Sequence, residues 1–198
     1  QPEIRRALEH LGRTAFNDRH VLQDEEVMEK VITEVVNSVD NLSKSKTGAL
    51  IVIEQVTGLE DVINTGTKLD ALVSSALLEN IFVVNTPLHD GAAIIRNDRI
   101  VSAGCFLPLT NNNDLNKKLG TRHRAAIGIS ENSDALIIVV SEETGTISFA
   151  INGKLMRNYT KDRLKKVLIA IIKRRFQKKS TLREKVIEWK KKMGKTKS

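Results

Sequence analysis

The sequence of 198 residues contains one cysteine, three prolines, one tryptophan and one tyrosine, and aromatic residues make up only 4% of it. The single Cys105 excludes an internal disulfide, and its position in an apolar run favours a packed thiol in a reducing compartment. No apolar run approaches the roughly 20 residues that span a bilayer, and no signal peptide is apparent. A disulfide scaffold and a bundle of membrane helices are therefore excluded for this stretch of chain.

The sequence begins with Gln1-Pro2 and has no initiating methionine, so we expect a processed or truncated piece from which membrane segments have been removed. Its 40% hydrophobic and 28% charged residues are ordinary for a globular chain. A chain of this length is long enough for one well-packed domain, or for one domain with appendages.

The net charge of +8 is unevenly distributed. From Lys154 onward there are 18 Lys and Arg against 3 Asp and Glu, whereas the preceding residues hold 14 basic and 21 acidic side chains. A basic tail can bind nucleic acid, lie on an anionic membrane surface, or keep a helix in solution. Few aromatic residues (Tyr159, Phe176 and Trp189) accompany these charges, so a base-stacking surface is not apparent and we expect no nucleic-acid partner.

The hydrophobic pattern alternates between helix and strand periods. It predicts helices over residues 2–12, from an Asp24 cap to Leu42, and over 69–78, 159–176 and 181–193. It predicts a buried strand over 49–53 and a hairpin formed by 135–140 and 146–151 around an acidic turn. Residues 57–67 have turn chemistry without a clear period, and 81–84 form a short apolar segment. The expected fold is α/β, a single globular domain with a central mixed β-sheet flanked by helices.

Residues 85–125 carry the chemistry. The stretch opens with Asn85-Thr86-Pro87-Leu88-His89-Asp90-Gly91-Ala92 and closes with Gly120-Thr121-Arg122-His123-Arg124-Ala125. If Thr121 is an N-cap, the three basic residues after it occupy the first helical turn, where the helix dipole disfavours cations by roughly 0.3–1 kcal/mol each. An anion bound by the helix N-terminus and the guanidinium groups would account for them, and a solvated basic turn is the alternative.

These motifs resemble the diadenylate cyclase (DAC, DisA_N-type) domain family, whose members make cyclic di-AMP from two ATP. Asp90-Gly91-Ala92 and Arg122-His123-Arg124 look like its two signature motifs, separated by a Cys-Phe-Leu-Pro run and followed by Ser-Glu-Glu-Thr-Gly. The resemblance covers roughly residues 24–176, and 1–12 looks like the juxtamembrane part of the CdaA-type membrane cyclases. It implies a juxtamembrane helix or linker at 1–20, a catalytic domain at 21–177 and a basic helix or tail at 178–198.

Cyclisation requires a ribose 3′-hydroxyl to attack an α-phosphate, with pyrophosphate leaving. Arg122 and Arg124 can neutralise phosphates, while Thr121 and its helix N-terminus can donate hydrogen bonds. A carboxylate with a pKa near 4 is too weak a base unaided, so we expect a divalent metal, with Asp90 as ligand and activator and His89 as co-ligand. One nitrogen and one oxygen ligand suit Mn²⁺ or Co²⁺ somewhat better than Mg²⁺. The alternative is that Asp90 and its glycine merely form a turn between strands.

The resemblance implies further site residues. It places Glu142 and Glu143 at the triphosphate end of the site, and the alternative for them is a plain polar hairpin turn. It places Phe106 and Leu107 against the adenine, and the alternative for them is simple core packing. The expected catalytic residues are Asp90, Gly91, Arg122, His123 and Arg124. The expected ATP-binding residues are Asp90, Gly91, Ala92, Phe106, Leu107, Gly120, Thr121, Arg122, His123, Arg124, Ser141, Glu142 and Glu143.

The chain has one copy of each motif and the family's product is two-fold symmetric, so we expect a homodimer to be needed for catalysis. The resemblance also implies a position on the cytoplasmic face of the cell membrane, with a regulator protein and a phosphoglucosamine mutase as partners. Two other functions remain open at this point: a non-enzymatic sensor of nucleotides or cyclic nucleotides, and a nucleic-acid-binding module that uses the basic tail.

Overall fold

A computed structural model of the protein describes residues 25–111 and 119–175. The predicted helices over 2–12 and 181–193, the Asp24 cap, and the segments 1–20 and 178–198 lie outside the described residues. The described elements are, in chain order, α1 (Glu25–Lys44), β1 (Ala49–Ile53), α2 (Glu60–Ile63), β2 (Thr67–Leu72), α3 (Ser75–Ile81), β3 (Ala92–Arg96), β4 (Arg99–Cys105), α4 (Thr121–Asn132), β5 (Leu136–Val140), β6 (Ile147–Ile151), β7 (Lys154–Met156) and α5, whose described part is 161–175.

The described strands form one seven-stranded sheet in the order β2-β4-β3-β1-β5-β6-β7. β1 and β3 are parallel, and every other neighbouring pair is antiparallel. The sheet is therefore mixed, and the expected α/β fold is confirmed.

Helices cover both faces of the sheet, which explains why all five residues of β1 are apolar and buried. Successive side chains of a strand point to opposite faces, so Ala49, Ile51 and Ile53 pack with α1, α3 and α5 in one core cluster. Leu50 and Val52 pack with α2 and α4 in a second cluster. The result is three layers, in which the sheet is held between two groups of helices.

The helical periods at the two ends of the described chain are confirmed. Val31, Val35, Val39 and Leu42 of α1 are buried, as are Leu164, Leu168 and Ile172 of α5. The hairpin is also confirmed, because β5 pairs with β6 and Val140 lies opposite Ile147. In the described part of the chain, no helix is both long and apolar enough to cross a membrane.

The predicted helix over 69–78 is wrong. Residues 67–72 form strand β2 at the edge of the sheet, and its alternating exposure resembles a one-sided strand. Helix α3 begins only after Ser74, whose hydroxyl accepts a hydrogen bond from the Leu77 amide as an N-cap. Pairing with β4 therefore prevailed over the helical spacing of the apolar residues. The pattern also missed the short helix α2 within 57–67 and the short strand β7.

Candidate functional site

Most of the predicted site residues come together at one end of the sheet strands, which we call the site end. Four strands begin at this end (β1, β2, β3 and β6) and two strands end there (β4 and β5). This follows from the strand pairing, in which Ile51 lies opposite Ala93, Thr67 opposite Ala103 and Val140 opposite Ile147. The segment before β3, the segment after β4 and the turn after β5 therefore share this end. β3 and β5 flank β1, so their ends lie about 10 Å apart at a strand spacing of about 4.8 Å.

Asp90 lies in the loop that enters β3, and the glycine after it fixes the path of that loop. Gly91 has φ +126°, and a Cβ there would lie 2.7 Å from the Cys105 carbonyl oxygen. Only glycine accepts both this backbone angle and this approach. Within the described residues, the Asp90 side chain is exposed and makes no hydrogen bond or ion pair, so its carboxylate is available to a ligand.

His89 is partly buried and its imidazole is oriented by the backbone. Nδ1 lies 2.6 Å from the Thr86 carbonyl oxygen, a contact in which Nδ1–H donates and Nε2 keeps its lone pair. Metal-binding histidines typically donate their other ring N–H to a backbone carbonyl in this way. No group of three or more His, Cys, Asp or Glu able to hold a metal exists among residues 25–111 and 119–175. His89 and Asp90 therefore fit a metal ion only if phosphate oxygens complete its coordination.

Helix α4 presents its N-terminus at the site end, one residue earlier than predicted. Gly120 is the N-cap, with φ −68° and ψ 171°, and it makes no side-chain cap hydrogen bond. Thr121, expected to be the cap, is instead the first helical residue and is exposed. Since glycine has no side chain to accept hydrogen bonds from the first amides, the free N–H groups at this helix end can donate hydrogen bonds to an anion.

Arg122 projects from the first turn of α4 towards the turn after β5. Its Nη1 donates to Oε2 of Glu142 at 2.6 Å, and the exposed fractions of the two side chains are 22% and 65%. Both groups lie against Gly48, the residue before β1. Gly48 was not among the predicted site residues, although a glycine directly before a buried strand can indicate close approach of another group.

His123 differs from its two arginine neighbours. It is buried, with its Nε2 3.5 Å from the Ser148 hydroxyl of β6. Burial lowers the pKa of His123, the positive charge of Arg157 lowers it further, and Glu143 opposes them. His123 therefore packs under the helix, where burial disfavours its charged form, whereas the side chains of Arg122 and Arg124 are only partly buried. The Arg124 side chain is partly buried, and its carbonyl accepts from the Thr110 amide at 3.2 Å.

The segment after β4 crosses over α4. Phe106 is 69% exposed and Leu107 is partly buried, so simple core packing is wrong for Phe106. The Phe106 amide donates to the Thr65 hydroxyl at 2.9 Å, which fixes the start of the crossing. An exposed phenyl ring held beside the site end offers an apolar surface to a flat ligand.

The turn after β5 is tightly hydrogen-bonded. The Gly145 amide donates to the Ser141 carbonyl at 2.8 Å, and the Ser43 hydroxyl at the end of α1 donates to the Gly145 carbonyl. Glu142 and Glu143 are exposed at the tip of this turn. The expected polar turn is therefore present, and it lies at the site end beside Arg122.

A cavity of about 480 Å³ lies at the opposite end of the sheet. It is lined by Thr57, Ser130, Glu131, Asn132, Ser133, Asp134, Asn152 and Gly153. None of these is a predicted site residue.

Comparisons with known proteins show what the chain is similar to. The chain is 51% identical over 174 residues to the cyclic di-AMP synthase CdaA of Bacillus subtilis, covering 88% of this chain and 64% of the relative. It is 48% identical over 169 residues to a diadenylate cyclase of Listeria monocytogenes, covering 85% and 62%. The chain thus spans slightly less than two thirds of the length of each of these relatives.

Two solved structures share the fold. One is a double mutant of DacA from Staphylococcus aureus, with a TM-score of 0.70 and 48% identity over 71% of this chain and 94% of that one. The other is a hypothetical membrane spanning protein from Bacillus cereus, with a TM-score of 0.62 and 53% identity over 64% of this chain and 62% of that one. The family model for the DisA bacterial checkpoint controller nucleotide-binding (DAC) domain matches residues 36–155. The chain therefore belongs to the DAC family.

Proposed function

We propose that the protein is a diadenylate cyclase that condenses two ATP into cyclic di-AMP and two pyrophosphates. One observation carries the proposal: the site end brings together the free carboxylate of Asp90, an α4 N-terminus without a side-chain cap, and the Arg122 guanidinium. The relatives named as cyclic di-AMP synthase or diadenylate cyclase support it.

Arg122, Arg124 and the first amides of α4 bind the triphosphate. The contact with Glu142 uses one of the five guanidinium N–H donors of Arg122, so the others remain for phosphate oxygens. The α4 dipole adds a positive potential at the same place. Glu143 and Ser141 lie next to this group, and Phe106 with Leu107 covers the adenine face.

In each half-reaction, the 3′-hydroxyl oxygen of one ATP forms a bond to the α-phosphorus of the other. The bond from that phosphorus to the oxygen bridging to the β-phosphate breaks, and pyrophosphate leaves with the electron pair. Asp90 holds the attacking hydroxyl and receives its proton on the way to solvent. His89 and Asp90, together with phosphate oxygens, would hold a divalent metal, which could be Mn²⁺, Co²⁺ or Mg²⁺. The metal would lower the pKa of the attacking hydroxyl, which a carboxylate alone cannot do.

Two protomers act together in this proposal. A single chain carries one Asp90 and one Arg122, whereas the cyclic product needs two equivalent attacks. Two protomers facing each other about a two-fold axis provide both. We place the enzyme at the cytoplasmic face of the membrane, in line with its likeness to the membrane spanning protein of Bacillus cereus, with a regulator protein and a phosphoglucosamine mutase as candidate partners.

The proposal is tested by incubating the protein with ATP and Mn²⁺ and separating the products by chromatography. We expect cyclic di-AMP and pyrophosphate in a ratio of one to two, and no product when the metal is omitted. A protein that binds ATP but releases no dinucleotide would be a nucleotide sensor, and the enzymatic proposal would be wrong.

The dimer is tested with mixed protomers. When wild-type and Asp90→Asn chains exchange freely in equal amounts, only about a quarter of dimers carry two intact sites. Cyclic product should fall to about a quarter of the all-wild-type rate at the same total protein, and linear dinucleotide should appear. A fall to one half without linear product, with exchange verified separately, would mean that one protomer closes the ring alone.

A further inference from the structure

Gly48 lies under the ion pair between Arg122 and Glu142. A Cβ built on Gly48 would be 2.6 Å from Nη1 of Arg122, 2.9 Å from Oε2 of Glu142 and 3.0 Å from Cζ of Arg122. Real Cβ atoms do not approach other atoms this closely, so any side chain at this position would displace the guanidinium or the carboxylate. The backbone of Gly48 is outside the left-handed region, and it therefore does not need glycine for its conformation.

Other described glycines are required for a different reason. At Gly66, Gly91 and Gly128 the nearest atoms to an added Cβ include backbone carbonyl oxygens, at 2.5, 2.7 and 2.2 Å. A methyl group there would strain the fold itself. At Gly48, the three nearest atoms are all ends of long side chains, which can move. An added methyl group would therefore move the ion pair and leave the backbone in place.

The ion pair itself does little for the fold. Glu142 is 65% exposed, and exposed ion pairs contribute little to stability because water screens them. The absence of a side chain at Gly48 therefore affects the position of the guanidinium more than the stability of the sheet. Since β1 is central in the sheet and buried on both faces, Gly48 provides a rigid surface for Arg122 at the site end.

We propose that Gly48 is a positioning residue for nucleotide binding. Because Gly48 has no side chain, the Arg122 guanidinium can lie against the start of β1, where the ion pair with Glu142 holds it. This inference rests on the proposed function, because it takes Arg122 to be a ligand of the ATP triphosphate. Gly48 itself does not contact the nucleotide in this scheme.

The test is a double-mutant cycle that couples Gly48→Ala to Arg122→Ala. Binding of α,β-methylene-ATP with Mn²⁺ is measured by calorimetry, because the methylene bridge prevents loss of pyrophosphate. Gly48→Ala should raise the Kd about tenfold in the wild-type background, as expected for one misplaced charge-assisted contact. In the Arg122→Ala background the same change should alter the Kd less than about twofold, because the group that it displaces is gone.

Gly58→Ala is the matched control, since a Cβ at Gly58 meets nothing within 4 Å. It should leave the Kd unchanged, and both alanine variants should melt within about 4 °C of the wild type. In steady-state assays, Gly48→Ala should raise the KM for ATP more than it lowers kcat.

Three results would overturn the inference. They are an unchanged Kd in Gly48→Ala, an equal rise in Kd in both backgrounds, and loss of the cooperative unfolding transition in Gly48→Ala. A wild-type protein that binds the analogue but makes no cyclic product from ATP would refute the proposed function and leave the cycle interpretable. A wild-type protein that does not bind the analogue would refute both.

Discussion

Replacing Arg122 by alanine should weaken nucleotide binding much more than it weakens the fold. In the described structure the Arg122 guanidinium has one carboxylate partner, Glu142, and that carboxylate is 65% exposed. Once Arg122 is removed, water can solvate Glu142, so its charge is not left buried. An exposed pair of this kind contributes about 0–1 kcal/mol to stability. The melting temperature should therefore fall by no more than about 2–4 °C.

The cost to binding is larger because the lost contact is charge-assisted. A hydrogen bond to a charged group contributes about 1.5–3 kcal/mol. Arg122 donates one of its N–H groups to Glu142, so it does not have to release that partner before it binds a phosphate. At about 1.4 kcal/mol for each factor of ten, the Kd for the ATP analogue should rise about 10- to 150-fold.

Calorimetry with α,β-methylene-ATP and Mn²⁺ measures this change, and Arg99→Ala is the matched control. Arg99 also pairs with one exposed carboxylate, that of Asp70, but it begins β4 at the end of the sheet away from the site. Its replacement removes the same charge and should leave the Kd within about twofold, well below one charge-assisted contact. An unchanged Kd in Arg122→Ala would mean that the first turn of α4 is a solvated basic turn. Equal losses in both variants would indicate a nonspecific effect of net charge.

Asp90→Asn should keep the affinity for the analogue within about threefold and abolish cyclic product, because it removes the proposed metal ligand and no phosphate contact; lost affinity with normal turnover would reverse the assignment. Burial lowers the pKa of His123, so on acidification from pH 7 to 5 the unfolded state takes up a proton that the folded state resists. The free energy of unfolding, measured by urea titration, should therefore fall over this range, and His123→Gln should reduce the slope; an identical slope would contradict a lowered pKa for the buried imidazole. Arg96→Ala leaves the Glu54 carboxylate, which is 8% exposed, without the guanidinium that lies 2.7 and 2.9 Å from its two oxygens. It should cost about 1–3 kcal/mol in denaturant unfolding, whereas Arg99→Ala at its exposed pair should cost less than about 1 kcal/mol; equal costs would show that burial does not set the difference.

The strongest periodic segments could be predicted from the sequence alone. The apolar spacing of α1 and α5 predicts amphipathic helices, because a helix places these side chains on one buried face. The uninterrupted apolar run of β1 predicts a strand covered on both faces, because only such a strand buries all of its side chains. The motifs around Asp90 and Arg122 could also be recognised, since an aspartate beside a glycine and two arginines at a helix start are local features. Their chemistry follows from residue types and not from distant contacts.

Only the tertiary structure decided the parts that depend on partners distant in sequence. β2 is a strand because β4 lies beside it, whereas its own apolar spacing also fits a helix. His123 and Arg122 are neighbours in one turn, yet the packing of α4 against β6 buries the imidazole and leaves the guanidinium at the site end. Gly48 and Glu142 are far from Arg122 in sequence and come together only because β1 and β5 are adjacent in the sheet. A local sequence pattern indicates the chemistry available to a residue, but strand order and helix packing determine which side chains come into contact.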